Sequence, residues 1–127
     1  FPHYRFERHV RYKQMKRFLQ LIQNYQRAKN LTDRSSIFLC GDFNSPYSND
    51  PVYQLVRRFY RSSYADVHGN EPAVTHLTHR NEELAVDFIF YRSNDFRPIH
   101  SELIPRGANP MRWNDQTGWI LSDHRPV

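Results

Sequence analysis

Between His9 and Arg27 the apolar residues Val10, Met15, Phe18, Leu19, Ile22 and Tyr25 recur at helical spacing, which predicts an amphipathic helix with one stripe turned to a core. Arg11, Lys13, Lys16 and Arg17 fall mostly off that stripe, on the solvated side. Asn30, Thr32, Asp33, Ser35 and Ser36 then form a polar connector into Ile37-Phe-Leu-Cys40, an apolar run suited to a buried strand. Asp50 followed by Pro51 is a cap and first-turn pair, opening a shorter helix through Leu55 and Val56 to about Tyr60. Beyond Ser62 the helical period disappears. The segments near Ala73 to Thr78, Leu84 to Tyr91, Pro98 to Ile104 and Trp119 to Leu121 read as strands. His68-Gly69-Asn70 and Arg92 to Asp95 read as turns, and Pro105 to Thr117 as a long surface loop.

Three of these apolar runs carry polar residues that a simple core would not want. Gly41-Asp-Phe-Asn-Ser45 follows the first strand directly. Because extended backbone alternates faces, Phe43 should turn into the core while Asp42 and Asn44 flank one pocket. Asp87 lies inside Leu84 to Tyr91, where burial without a partner would cost several kcal/mol, so a cation or hydrogen-bond donor should meet it. Near the end, Ile120-Leu-Ser-Asp-His-Arg-Pro-Val127 brings Asp123 and His124 out of another apolar run.

Length sets the scale of the answer. A chain of 127 residues supports one domain, or part of one, and is too short for two comfortable ones. Aromatic content of 15% argues against disorder, and a mean hydropathy of -0.83 marks a polar surface. Cys40, the single cysteine, cannot close an internal disulfide and is expected to be a small buried hydrophobe. No apolar stretch approaches a membrane span, no signal peptide precedes the first helix, and a starting Met is missing. These features tilt the expected setting to intracellular and the expected chain to a processed or excised piece. The net charge of +5 favours a polyanionic partner such as nucleic acid, although the same cations could simply solvate the first helix.

Gly-Asp-Phe-Asn at 41–44, Val-Asp-Phe-Ile-Phe at 86–90 and Ser-Asp-His-Arg-Pro at 122–126 occur in one order and spacing. In this the chain resembles the endonuclease/exonuclease/phosphatase superfamily, the DNase I-like metal-dependent phosphodiesterases, with some likeness to the deadenylase-like branch. The resemblance implies an α+β fold, a DNase I-like sandwich of two mixed sheets with outer helices. Residues 1–127 look like its second half, so that the amino-terminal metal-binding Asn and Glu and the final strand are missing. The missing half would lie on the same or another chain.

By the same resemblance Asp123 faces a Mg²⁺ or Mn²⁺ ion. Asp42 holds or deprotonates the attacking water, Asn44 donates to a phosphoryl oxygen, and Asp87 orients His124 toward the phosphate. Whether Asp42 or His124 accepts the proton stays open. Nucleic acid is the leading substrate, with lipid or inositol phosphates as alternatives, and a non-catalytic interaction module as the competing class of function.

Each site residue also has a plain structural role available. Asp42 and Asn44 could cap a turn, Asp87 could pair with an Arg, and Asp123-His124 could form an exposed turn before Pro126. A zinc site at His68, His76 and His79 is disfavoured by spacing and by the lack of a cysteine pair. Thr75 and Thr78 fall where the superfamily places a polar strand lining its cleft. Trp113 could stack on a substrate, whereas Trp119 better suits core packing.

Overall fold

The structure is a computed structural model describing residues 8–31, 35–46, 50–78, 80, 82–103 and 124. Its elements run α1 (Arg8–Ala28), β1 (Ile37–Asp42), α2 (Pro51–Arg57), β2 (Arg61–Ser62), α3 (Ser63–His68), β3 (His76–Leu77), β4 (Glu83–Leu84) and β5 (Asp87–Arg92). β5 is the centre of a three-stranded sheet in the order β1-β5-β2, with both pairings antiparallel, and β3 and β4 form a separate hairpin.

The β1–β5 ladder separates core from site. Leu39 and Phe43 share one face with Phe88 and Phe90, and α1 and α2 pack there through Met15, Leu19, Val52, Leu55 and Val56. Phe43 is 6% exposed and meets Phe90 edge-on at 5.1 Å, as its alternation with Asp42 predicted. The opposite face carries Phe38, Cys40 and Asp42 against Tyr91, Ile89 and Asp87. Cys40 is therefore exposed, contrary to the expectation of burial. With Leu39 inward, the period of two sends the next residue outward whatever its hydrophobicity.

The helix predicted at His9 to Arg27 forms, but its buried line is Arg11, Met15, Leu19 and Gln26, with Ile22 packed beside it. Phe18 and Tyr25 are 43% and 61% exposed. Arg11, expected on the solvated side, is 1% exposed because Asp50 waits for it, with Arg11 Nη2 2.9 Å from Asp50 Oδ2. Asp50 also caps α2 as expected, its Oδ1 accepting from Val52 N at 2.9 Å, with Pro51 in the first turn. One carboxylate thus caps α2 and ties it to α1. At the other end of the stripe, Gln26 Oε1 accepts from Arg92 Nη2 at 2.9 Å. Two polar clamps set the rotation of α1 that hydrophobic periodicity alone placed slightly askew.

Other departures follow from short elements. α2 stops at Arg57 and the chain reaches Tyr60 through a turn. α3 was not foreseen, because six residues with none buried leave no periodic stripe. It is made by its ends: Ser62 accepts from Ala65 N, and Gly69 at φ 82° closes it where a turn was expected. The expected strand at Leu84 to Tyr91 breaks at Ala85 and Val86 into β4 and β5, and residues 98–103 form no strand. The expected loop at Pro105 to Thr117, the strand at Trp119 to Leu121, and Trp113 lie outside the described residues.

Beside the core, Glu71 is 5% exposed and accepts from Tyr53 Oη at 2.6 Å and Ser62 Oγ at 2.9 Å. Burial raises the Tyr53 phenol above its ordinary value, and the Glu71 hydrogen bond adds to it. Burial likewise raises Tyr60 against the opposing charge of Arg92, and raises Tyr91 together with its hydrogen bond to Asp66.

Two outcomes follow. Arg11→Ala leaves the more distant Arg8 as the cation beside buried Asp50 among the described residues, and should lower stability by about 3 kcal/mol, read from urea denaturation. A loss within error of zero would remove the clamp from the account. Since the folded state holds the Tyr53, Tyr60 and Tyr91 protons more tightly than the unfolded chain, their contribution is intact below about pH 10 and fades as pH rises through that value. The urea midpoint should fall between pH 9 and pH 11, and fall less steeply in Tyr53→Phe.

Candidate active site

β1 ends in a backbone that few sequences tolerate. Gly41 has φ 138°, a region closed to side-chain-bearing residues, and Asn44 has φ 48°. Space is not the issue at Gly41, because a Cβ there would meet nothing within 4 Å. Asn is one of the few residues that enter the left-handed region readily. Asp42 Oδ1 accepts from Asn44 N at 2.7 Å, closing an Asx turn. The turn expected as a structural role for this pair is therefore present. It holds Asp42 Oδ1 and leaves Oδ2 outside the turn.

Register places the second carboxylate beside the first. Asp42 is the cross-strand partner of Asp87, and Phe43 N donates to Val86 O at 2.9 Å. The 42/87 pair is consequently a non-hydrogen-bonded one, in which Cα atoms lie about 4.5 Å apart and side chains approach most closely. Like charges directly opposite destabilise a sheet, so this edge favours a positive charge nearby.

His124 brings a hydrogen-bond donor to one side of this edge. Its Nδ1 lies 2.8 Å from Asp87 Oδ2. An ionised carboxylate can only accept, so Nδ1 donates to it, with Nε2 on the other side of the ring. The His124 side chain is 32% exposed and that of Asp87 16%. Asp87 thus pairs with a histidine rather than with an Arg, and its burial is compensated as its chemistry required.

A residue behind the site holds it in place. Thr75 is fully buried, and its Oγ1 accepts from Val86 N at 2.9 Å and Asp87 N at 3.0 Å while donating to Asp87 Oδ2 at 2.8 Å. One proton and two lone pairs are all used. Thr75 supports Asp87 from within and does not line a cleft. Thr78, 5% exposed, instead closes the β3–β4 turn by accepting from Arg80 N and Glu82 N. The strand-side position of Thr75 was legible, but its partners could be found only once Thr75, just before β3, was seen against the start of β5.

The remaining candidates divide. Asp123 lies outside the described residues. His68 Nε2 donates to Ser101 O at 2.6 Å, and His79 is outside the described residues. His76 stacks on His124, with ring centroids 4.2 Å apart.

The Endonuclease/Exonuclease/phosphatase family model matches residues 3–124. The chain belongs to this family. No curated protein and no solved structure matches it. Membership agrees with the helices and antiparallel sheet described above, an α+β DNase I-like fold, and with metal-dependent hydrolysis of phosphate esters as the general activity. Family enzymes generally use divalent metals, and carboxylates such as those of Asp42 and Asp87 are hard oxygen donors of the kind such ions take. Among the described residues no group of three or more His, Cys, Asp or Glu side chains is gathered for a metal. Mg²⁺ commonly makes do with one or two carboxylates completed by water and substrate phosphate. No described helix is long and apolar enough to cross a membrane.

Thr75→Val keeps the shape of the side chain but strands two buried N–H groups. It should cost about 2 kcal/mol in chemical denaturation, whereas Thr75→Ser should stay near wild type. Equal stability of Val and Ser variants would show that the hydroxyl does not hold β5.

Proposed function

We propose that this chain hydrolyses phosphodiesters, with nucleic acid the preferred class, and that Asp42, Asn44, Asp87 and His124 carry the reaction with Asp123 beside a Mg²⁺ or Mn²⁺ ion. The observation that supports this most is the opposition of Asp42 and Asp87 across one ladder pair, with His124 bonded to Asp87. Such an edge accumulates negative charge with a directed imidazole beside it, a poor arrangement for packing and a good one for a phosphate and its cation.

Each residue then has a distinct task. Asp42 orients the attacking water and takes its proton, using the oxygen outside the Asx turn. Asn44 donates its side-chain amide to a phosphoryl oxygen as negative charge develops. Asp87 holds the His124 ring through Nδ1 so that Nε2 faces the phosphate and donates to it when the ring is protonated. When bound, a divalent cation supplies charge neutralisation for the phosphoryl group. Preference for nucleic acid rests on the net charge of +5 and on Lys13, Lys16 and Arg17, all exposed along α1.

The test is hydrolysis of bis-p-nitrophenyl phosphate and of a short oligonucleotide under Mg²⁺ titration. Activity should appear with Mg²⁺, vanish with EDTA, and drop about 100-fold in each of Asp42→Asn, Asp87→Asn and His124→Ala. Turnover that ignores both the cation and these substitutions, or none at all, would leave an interaction module as the better reading.

A further inference from the structure

His76 follows Thr75 directly on β3, and the reaction above gives it no task. The backbone forms an antiparallel bridge between His76 and His124, so the two residues stand opposite each other on neighbouring chain segments. Their rings lie nearly parallel, 4.2 Å between centroids and 13° between planes. Both residues are half-buried.

A hydrogen bond at one ring nitrogen fixes that atom and not the plane of an imidazole. Rotation about the bond from Cβ to the ring is broad and only weakly preferred, and the contact from Nδ1 to Asp87 Oδ2 holds an edge of the ring and does not itself define its plane. A flat ring stacked on its face does define it. The hold on His124 is thus two-sided, with Asp87 at its edge and His76 on its face. The two supports are coupled through sequence: Thr75 fixes Asp87 with its hydroxyl, and the next residue supplies the platform.

We propose that His76 is a positioning residue for this site, a platform that sets the plane of the His124 imidazole and so the direction of its Nε2. This rests on the reading that His124 addresses the phosphate. Flatness and breadth of the side chain are what the platform needs, so Phe can replace His76 while Ala and Asn cannot.

Two measurements on the same variants decide it. Long-range ¹H–¹⁵N spectra of the His124 ring report its tautomer without turnover, and steady-state hydrolysis of bis-p-nitrophenyl phosphate reports its use. Wild type and His76→Phe should both show sharp His124 ring cross-peaks with the proton on Nδ1, and His76→Ala cross-peaks broadened by exchange between ring orientations. His76→Ala should lose roughly 10-fold or more in kcat with KM changed by less than about 2-fold, and His76→Phe should recover to within about 3-fold of wild type. Should His76→Ala fail to fold, His76→Asn carries the same expectation. The platform is overturned if the ring spectrum and kcat of the Ala or Asn variant match wild type, or if Phe is as impaired as Ala. Failure of the catalytic reading has a different signature: His124→Ala then turns over as wild type, while the His124 spectra of the His76 variants still decide for or against the platform.

Discussion

The hydroxyl of Thr75 is the constraint on which the rest of this site depends. It is fully buried, it accepts from two consecutive amides at the entry of β5, and it gives its proton to the carboxylate of the second. Shifting β5 by one residue would unpair all three contacts and turn every β5 side chain to the wrong face. A buried donor or acceptor left unpaired costs about 1–3 kcal/mol, so these three bonds set the start of β5 firmly. From that anchor the ladder to β1 places Asp42 opposite Asp87, and Phe43 is locked under Phe90.

One ladder therefore does two opposed jobs. Its inner face joins aromatic rings to the helices, and its outer edge gathers carboxylates that repel each other. The inner face has free energy to spare for the outer one, because burial of large apolar side chains contributes about 1.5–3 kcal/mol each. The same division explains the exposure of Cys40 and Phe38. Both are apolar enough for a core, yet alternation gives the inward positions to Leu39 and Phe43.

What could be read from the chain was whatever neighbouring residues decide among themselves. The Asp50-Pro51 cap, the first helix, the strand into Gly41-Asp-Phe-Asn and the inward turn of Phe43 all follow from local rules. Asp87 announced a need for a donor because a carboxylate among apolar residues is costly alone. Arg11 shows the limit. Nothing near it in sequence says that a carboxylate 39 residues away will take it into the interior. α3 shows another, since it is defined by caps at Ser62 and Gly69 and not by a buried stripe.

Sequence by itself determined the kinds of groups at this site and the strand ends that carry them, because side-chain chemistry and backbone alternation are properties of adjacent residues. Tertiary structure alone decided who meets whom: Asp42 beside Asp87, His124 on Asp87, His76 on His124, and Thr75 beneath them. Those partners are separated by between 12 and 48 positions along the chain, and only strand register converts such separations into distances of a hydrogen bond or a ring stack.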